Sequence, residues 1–183
     1  YDLADKAIVV TGSTRGIGRS IAECLISAGA IVGIHGRSPD KVSAVCAELS
    51  PDRAIPLPSD FSDPASASSI ISSFIEKIGR IDGLVNNAGA GKAAAFRGMS
   101  IDKWRNTFSV NLESAMTASR EAYIQMRKQN AGSIVNITSI SAHGPGKWMG
   151  ADYAASKAGL VSLTKSLAFE SARYNIRVNA ISP

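Results

Sequence analysis

Residues 7–18 read AIVVTGSTRGIG, a run of four apolar residues that leads directly into a turn with three glycines. The run Ala7–Val10 predicts a short buried strand. The stretch from Gly18 to Ala28 has helical apolar spacing, and Gly29 is a plausible stop. Glycine permits a tight turn between strand and helix and lets the backbone approach a pyrophosphate closely. The free N–H groups and the positive dipole end of the helix attract the same anion.

The glycine spacing in this turn is GxxxGxG, which differs from the GxGxxG fingerprint of dinucleotide-binding folds. Taken alone, the turn is also compatible with a purely structural turn that contains glycines by chance. The strand before it and the helix after it favour a phosphate-binding turn. Its candidate cofactor-binding residues are Gly12, Ser13, Thr14, Arg15, Gly16 and Gly18.

Apolar runs alternate with longer amphipathic stretches along the rest of the chain, which predicts βα units and a parallel sheet. Further strands are predicted at Ile31–Ile34, Ala54–Pro58, Gly83–Val85, Ser133–Ile137 and Ile176–Ala180. Further helices are predicted at Pro39–Leu49, Pro64–Ile78, Ile101–Gln129 and Asp152–Tyr174, of which residues 101–129 form one long helix or a broken pair. Right-handed crossovers place helices on both faces of the sheet. The predicted fold class is therefore α/β, a doubly wound (Rossmann) parallel sheet in a single domain spanning residues 1–183.

Local signals support several of these boundaries. Ser38 is a suitable N-cap for the helix that begins at Pro39, and Asp63 is available to cap the helix that begins at Pro64. The prolines in Ala54–Pro58 suit an edge strand better than a central one.

Length and composition narrow the class of protein. With 183 residues, 45% of them apolar and 19% charged, the chain fits one folded domain. No apolar run is long enough to span a bilayer, and no basic start precedes a signal-like apolar segment. The net charge of +5 comes from scattered lysines and arginines, without a basic block for a nucleic-acid backbone. We therefore expect a cytoplasmic protein that binds neither nucleic acid nor membrane.

The two cysteines, Cys24 and Cys46, lie within helical patterns and form no CxxC pair. We expect both to be buried thiols in a reducing compartment, with no metal and no disulfide.

The end of the second strand indicates which dinucleotide the turn would bind. It reads Ile34-His35-Gly36-Arg37-Ser38, without the acidic residue that would bond the ribose 2′-hydroxyl of NAD. Arg37 can instead pair with a 2′-phosphate, and Arg15 could reach the same group from the glycine turn. The alternative is that both arginines are solvated surface charges. The sequence therefore favours NADP(H) as the cofactor.

Tyr153 and Lys157 stand four residues apart, a spacing that places them on one face of a helix. A free tyrosine phenol has a pKa of about 10, which is too high for efficient proton transfer near neutral pH. A nearby ammonium favours the phenolate, so Lys157 would make Tyr153 a usable acid/base. Ser139 follows the fifth strand and could hold a substrate oxygen. By itself this pair is weak, since a core tyrosine and a surface lysine at this spacing are common.

Taken together, four motifs resemble the short-chain dehydrogenase/reductase family over nearly the whole chain. They are TGSTRGIG at 11–18, Asn86-Asn87-Ala88-Gly89, Ser139, and Tyr153-Ala154-Ala155-Ser156-Lys157. Within that family the chain is similar to 3-oxoacyl-carrier-protein reductases. The resemblance implies an oxidoreductase that transfers a hydride between NADP(H) and a carbonyl or secondary alcohol.

The resemblance also implies roles for individual residues. Tyr153 exchanges the proton with the substrate oxygen, Ser139 orients that oxygen, and Lys157 also binds the nicotinamide ribose. Asn111 completes the catalytic group and helps to hold a water that links Lys157 to solvent. Asn87 stabilises the sheet beside the cofactor. The other cofactor contacts assigned in this way are Ile17, Asp60, Phe61, Ala88, Gly89 and Pro183.

Three features depart from the family pattern or extend beyond it. Ser139 precedes Tyr153 by fourteen residues, one more than is common, and Ser141 is a rival for its role. Trp148 in the intervening loop is a candidate substrate contact or ordinary packing. The sequence ends at Pro183, whereas relatives continue with a nicotinamide-contacting loop, a helix pair and a last strand. We expect weak cofactor binding and little activity from a chain that ends there.

The helices predicted at 101–129 and 152–174 resemble a pair that forms a dimer interface in relatives, so we expect a homo-oligomer, a dimer or tetramer. Two other functions remain open from the sequence. One is a non-catalytic dinucleotide-binding or scaffold protein of the same fold, and the other is dehydration or epimerisation on the same scaffold.

Overall fold

The computed structural model describes residues 2–145 and 149–183 and has a six-stranded sheet with helices on both of its faces. The strands are β1 (Ala7–Val10), β2 (Ile31–Gly36), β3 (Ala54–Pro58), β4 (Gly83–Asn86), β5 (Gly132–Ile137) and β6 (Ile176–Ile181). The α-helices are α1 (Gly16–Ser27), α2 (Pro39–Leu49), α3 (Ala65–Ile78), α4 (Ile101–Phe108), α5 (Ser114–Gln129) and α6 (Ala151–Ser171). Short 3₁₀ turns lie at Phe96–Gly98, Ile140–Ala142 and Ala172–Tyr174.

All strand pairs are parallel, and the strand order is β3-β2-β1-β4-β5-β6. The direction of winding reverses between β1 and β4. In sheets of this kind, ligands bind in the crevice outside the carboxyl ends of the strands at that reversal. The predicted doubly wound α/β fold is confirmed.

Alternate residues of each strand supply two separate cores, as expected for a sheet buried on both faces. Ala7 and Val9 face the core formed with α3 and α5, whereas Ile8 and Val10 face the core formed with α1 and α2. Phe74 of α3 is completely buried in the first of these cores. The two hydrophobic layers hold the sheet rigid beneath the crevice.

Three elements, β1, α2 and β3, begin and end at the predicted residues. Ser38 caps α2 as expected, accepting a hydrogen bond from the Lys41 N–H. Strand β3 is an edge strand, and its two prolines, Pro56 and Pro58, are exposed.

Strand β2 is two residues longer than predicted, because His35 and Gly36 continue the pairing with Leu57 and Pro58. Helix α1 begins two residues earlier than predicted, at Gly16. Helix α3 begins at Ala65, whose N–H donates to the Asp63 carboxylate, so Asp63 caps the helix from one position further out.

Residues 101–129 form one continuous helical segment with an irregular centre. A π-helical turn, Ser109–Glu113, joins α4 to α5. A π turn admits one extra residue, and such turns are frequent at functional sites.

The expectation that both cysteines are buried is wrong for Cys24, which is exposed on α1, whereas Cys46 is buried on α2. The buried residues of α1 are Gly18 and Ala22, and Cys24 lies two positions further along, on the opposite side of the helix.

Within residues 2–145 and 149–183, no helix is long and apolar enough to cross a membrane.

Candidate active site

The glycine turn between β1 and α1 lies at the carboxyl edge of the sheet and depends on two different properties of glycine. Gly12 and Gly16 have φ of +64° and +56°, in the left-handed region that other residues avoid. Gly18 has an ordinary φ, but a Cβ there would collide with the Gly12 carbonyl oxygen and the Asn87 side-chain amide. The turn therefore requires glycine at each of these positions.

Thr11 fastens this turn to the end of β4. Its hydroxyl donates to the Val85 carbonyl and accepts from the backbone N–H groups of Asn87 and Ala88, each at 2.9 Å. The Asn87 amide returns two hydrogen bonds, to the carbonyls of Thr11 at 2.9 Å and Gly12 at 3.0 Å. The two strand ends that flank the winding reversal are thus held together by polar contacts.

The first turn of α1 is open at its N-terminus. Arg15, the N-cap residue, makes no side-chain capping bond, and Arg15, Gly16 and Ile17 are exposed. Uncapped N–H groups and the positive end of the helix dipole suit a phosphate group. The arrangement fits the pyrophosphate of a dinucleotide.

Arg37 is exposed immediately after β2, next to the segment that follows β3. In that segment a hydrogen bond from the Ser62 N–H lowers the pKa of Asp60, and Arg37 contributes to the same shift. Asp60 is therefore an anion beside the end of β2. The family resemblance implies that Phe61 contacts the cofactor, but its side chain is buried and stacks on His35 with ring centroids 4.0 Å apart. Only its backbone is available to an adenine.

Tyr153 and Lys157 lie on α6, and the Lys157 ammonium is 5.8 Å from the centroid of the Tyr153 ring. Lys157 is only 3% exposed, and its Nζ donates to the Ile137 carbonyl at 2.7 Å. Burial lowers the pKa of Lys157 to about 8. This lysine is therefore part of the interior rather than a surface charge, while Tyr153 remains half-buried.

Asn111 lies within the π turn and is almost completely buried. Its Nδ2 donates to the Ala90 carbonyl at 2.9 Å and to the Ser156 hydroxyl at 3.0 Å, and its Oδ1 accepts from the Ala90 N–H at 2.7 Å. A Cβ on Gly89 would lie 3.5 Å from the Lys157 Nζ and 3.6 Å from the Asn111 Oδ1. Asn111 thus ties the segment after β4 to α6, close to the buried ammonium.

The two candidate serines differ in environment. The Ser139 hydroxyl accepts from the Ser141 N–H at 3.2 Å and is half-buried at the end of the β5 segment, whereas Ser141 is buried within the 3₁₀ turn. Within residues 2–145 and 149–183 the Ser139 hydroxyl only accepts a hydrogen bond, so its proton can turn towards a ligand. Trp148, the other candidate substrate contact, lies outside the described residues.

Pro183 lies beside these serines, because its carbonyl accepts from the Ile140 N–H at 3.2 Å. The Thr138 hydroxyl bonds both the Ile181 carbonyl and the Ser182 hydroxyl. The last residues of the sequence are therefore fastened to the segment that carries Ser139.

The sequence did not single out two polar residues that bear on the placement of Tyr153. Ser156 links Asn111 to the Tyr153 carbonyl, to which its hydroxyl donates at 2.8 Å. Asp152 is completely buried in the first turn of α6 and accepts a hydrogen bond from the Thr107 hydroxyl at 2.7 Å. An acidic residue in a first helical turn is a recognisable sequence signal, but its contact with α4 is not.

Comparison with known proteins identifies the family to which the chain belongs. The family model for short chain dehydrogenase matches residues 6–183. The chain is 40% identical over 184 residues to a 3-oxoacyl-(acyl-carrier-protein) reductase of Aquifex aeolicus, covering 99% of this chain and 74% of that protein. It is 34% identical over 179 residues to meso-2,3-butanediol dehydrogenase of Serratia marcescens, covering 98% of this chain and 70% of that protein.

The fold also matches a crystal structure of a short-chain type dehydrogenase/reductase from Mycobacterium marinum. The TM-score is 0.93 at 30% identity, covering 100% of this chain and 75% of that one. The chain belongs to the short-chain dehydrogenase family, whose members are oxidoreductases that use a nicotinamide dinucleotide. The resemblance inferred from the four motifs is confirmed.

The buried ammonium predicts a pH-dependent stability difference between the wild type and Lys157→Met. Because the pKa of Lys157 falls from 10.5 when unfolded to about 8 when folded, the folded protein bears a cost of charging below pH 8. Without cofactor, Lys157→Met should be more stable than the wild type at pH 7, by on the order of 1–3 kcal/mol. The gap should close as the pH rises from 8 to 10.5. Urea unfolding at several pH values measures it, and a gap constant across that window would contradict the assignment.

Proposed function

We propose that the protein is an NADP-dependent reductase or dehydrogenase in which Tyr153 exchanges a proton with the oxygen of a carbonyl or secondary alcohol. The observation that carries this proposal is the buried Lys157 ammonium, 5.8 Å from the Tyr153 ring. Burying an ammonium in a core is costly unless partners offset the lost hydration, so one that is retained with few partners points to a function. Here its one bond in the described residues is to the Ile137 carbonyl, which leaves donors for a ligand.

The reaction requires the movement of one proton and one hydride. A bound nicotinamide supplies or receives the hydride. The Tyr153 hydroxyl gives its proton to the substrate oxygen in reduction and recovers it in oxidation. The Lys157 ammonium stabilises the phenolate that this leaves, because an opposite charge nearby favours the ionised form.

The remaining catalytic residues position these groups. We assign Ser139 to the substrate oxygen, supported by its half-buried hydroxyl at the end of β5, and Ser141 to packing. We assign to Lys157 a bond to the nicotinamide ribose. Asn111, through Ala90 and Ser156, fixes the spacing between the β4 end and α6. A water near Asn111 would link Lys157 to solvent for proton supply.

The cofactor assignment is supported by the exposed Arg37 and Arg15 near the proposed adenosine site, and by the absence of an acidic residue in β2 and the two residues that follow it, 31–38. The glycine turn and the exposed first turn of α1 would hold the pyrophosphate, through residues of 12–18: Gly12, Ser13, Thr14, Gly16, Ile17 and Gly18. Asn87, Ala88 and Gly89 would line its other side. The NADP(H) preference favours the reductive direction.

The similarity to a 3-oxoacyl-(acyl-carrier-protein) reductase and to a butanediol dehydrogenase supports a small-molecule carbonyl or alcohol as the substrate. We place the protein in the cytoplasm, supported by its two free thiols.

We also propose a homo-oligomer, a dimer or tetramer, that buries the outer faces of α5 and α6, where Phe169 is 90% exposed.

Tyr153→Phe should lower kcat by about 10²–10⁴-fold in NADPH oxidation with a panel of ketones, because it removes the proton donor but keeps the ring. The Kd for NADPH should change by less than about threefold. Tyr174→Phe, which changes a tyrosine at the far end of the α6 segment, is the matched control and should retain activity. A fully active Tyr153→Phe, or a wild type that binds NADPH but reduces no carbonyl, would favour a non-catalytic binding protein. Identifying the products formed from each ketone would distinguish reduction from dehydration or epimerisation.

Arg37→Asp should raise the Kd for NADPH by about 10–100-fold, because it removes a charge-assisted bond to the 2′-phosphate and adds repulsion. The Kd for NADH should change little or improve. Arg177→Asp on β6, near the opposite edge of the sheet, makes the same charge change and should affect neither cofactor. Equal losses for NADPH and NADH in Arg37→Asp would show that Arg37 does not recognise the phosphate.

Light scattering should give the mass of a dimer or tetramer for the wild type and a smaller mass for Phe169→Asp, since a buried carboxylate disfavours an apolar interface. Phe96→Asp, at a phenylalanine that is also exposed, should keep the wild-type mass. A monomeric wild type would overturn the proposal.

A further inference from the structure

His35 connects the two halves of the proposed cofactor site through its side chain. Its Nδ1 accepts a hydrogen bond from the Gly12 N–H at 2.9 Å. Its Nε2 lies 3.2 Å from the Ser59 carbonyl oxygen. Gly12 opens the glycine turn, whereas Ser59 begins the segment that carries Asp60 and Phe61 after β3. The imidazole is therefore a bridge between two loops that follow different strands.

The partners of the two ring nitrogens determine the protonation state of His35. A backbone N–H can only donate, so Nδ1 must accept and carries no proton. A carbonyl can only accept, so Nε2 must carry the proton. Both bonds are satisfied by one neutral tautomer and by no charged form, because an imidazolium would turn an N–H towards the Gly12 N–H.

The surroundings of His35 keep the ring neutral and fixed. The residue is 3% exposed, and burial lowers its pKa to about 4. Asp60 is the charged group that opposes this shift, and Asp60 itself interacts with Arg37. One ring face stacks on Phe61 at an interplanar angle of 15°.

The backbone of the same residue is also bonded to the glycine turn. The His35 N–H donates to the Ser13 hydroxyl at 3.0 Å, and the His35 carbonyl accepts from the Ser13 N–H at 2.9 Å. The Ser13 hydroxyl in turn donates to the Val10 carbonyl. The turn is therefore fixed from the β2 side independently of the imidazole. The added contribution of the ring is the Gly12 contact and its link to Ser59.

We propose that His35 is a positioning residue for the dinucleotide, whose Nδ1 holds the pyrophosphate-binding turn and whose Nε2 holds the adenosine-binding segment. The inference rests on the proposed assignment of the glycine turn and the Ser59–Phe61 segment to the cofactor. A dinucleotide spans both loops, so its affinity depends on their spacing being set before it binds. The imidazole sets that spacing without contacting the ligand.

Two substitutions separate the two ring nitrogens. His35→Asn places an amide oxygen at the position of Nδ1 and keeps the acceptor for Gly12, but loses the contact with Ser59. His35→Gln extends an amide nitrogen to the position of Nε2 and keeps the donor for Ser59, but leaves Gly12 without its acceptor. The two variants carry the same amide group and differ by one methylene, so each serves as the control for the other in polarity.

The binding of NADP⁺ and of adenosine 2′-monophosphate, which lacks the pyrophosphate, should respond differently in the two variants. In His35→Gln the Kd for NADP⁺ should rise about tenfold while the Kd for the mononucleotide stays within about twofold. In His35→Asn both Kd values should rise by a similar factor, because the disturbed segment binds the adenosine that both ligands share. Equal losses for the two ligands in His35→Gln, or no loss in either variant, would overturn the proposal.

Hydrogen exchange at the Gly12 amide tests the contact without any ligand. The amide should be protected in the wild type and in His35→Asn, and should exchange at least tenfold faster in His35→Gln. Equal protection in all three proteins would overturn the role of Nδ1. If the wild type binds NAD⁺ more tightly than NADP⁺, the proposed cofactor choice is wrong. The His35 variants are then tested with NAD⁺ in place of NADP⁺ and with adenosine in place of adenosine 2′-monophosphate. Failure of the proposed function and failure of the His35 proposal are thus distinguishable.

Discussion

The hydrogen bond between the Lys157 ammonium and the Ile137 carbonyl is the contact on which the architecture of the site depends. This bond, 2.7 Å from Nζ to the carbonyl oxygen, holds the charged side chain in the interior and joins α6 to the end of β5. An ammonium with one carbonyl partner is not a favourable way to fill a core, since the lost hydration exceeds what one bond returns. Burial lowers the pKa of Lys157 to about 8, which is the cost of holding a cation close to the Tyr153 ring. Stability and chemistry therefore place opposite demands on the same side chain.

The rest of the site limits the movement of that side chain. Asn111 uses its amide oxygen and both amide hydrogens to join the β4 segment to α6. It lies in the π turn between α4 and α5, an irregularity that is frequent at functional sites. At the other end of the crevice, Thr11 and Asn87 join β1 to β4. Both connections span the carboxyl edge of the sheet, so a ligand would meet polar groups that are already fixed, which lowers the entropic cost of binding.

The sequence was sufficient to predict features that local pattern encodes. The sequence predicts the observed ends of strand β1, helix α2 and strand β3, because a continuous apolar run, the Ser38 cap and the prolines are local signals. The motifs also located Tyr153 and Lys157 on one helix. What could not be predicted depends on contacts between distant segments. Cys24 is exposed because α1 buries a narrow face, and Phe61 is buried because it packs in the core that includes α3 and stacks on His35 of β2. The π turn likewise has no recognisable residue pattern. Its part in the site becomes visible only from the hydrogen bonds that Asn111 makes to Ala90 and Ser156.

The prolines of β3 have a consequence for how the protein behaves at high concentration. In this strand the N–H of Ser59 points inwards to the Gly36 carbonyl and that of Ala54 is bonded to the Ser50 carbonyl, so by alternation the outward positions that remain are 56 and 58. Both are proline, which has no N–H to offer. An extended segment of another chain would therefore find no free backbone donors along β3, which disfavours growth of the sheet on that side. The same two residues that mark β3 as an outer strand protect it against aggregation by strand addition.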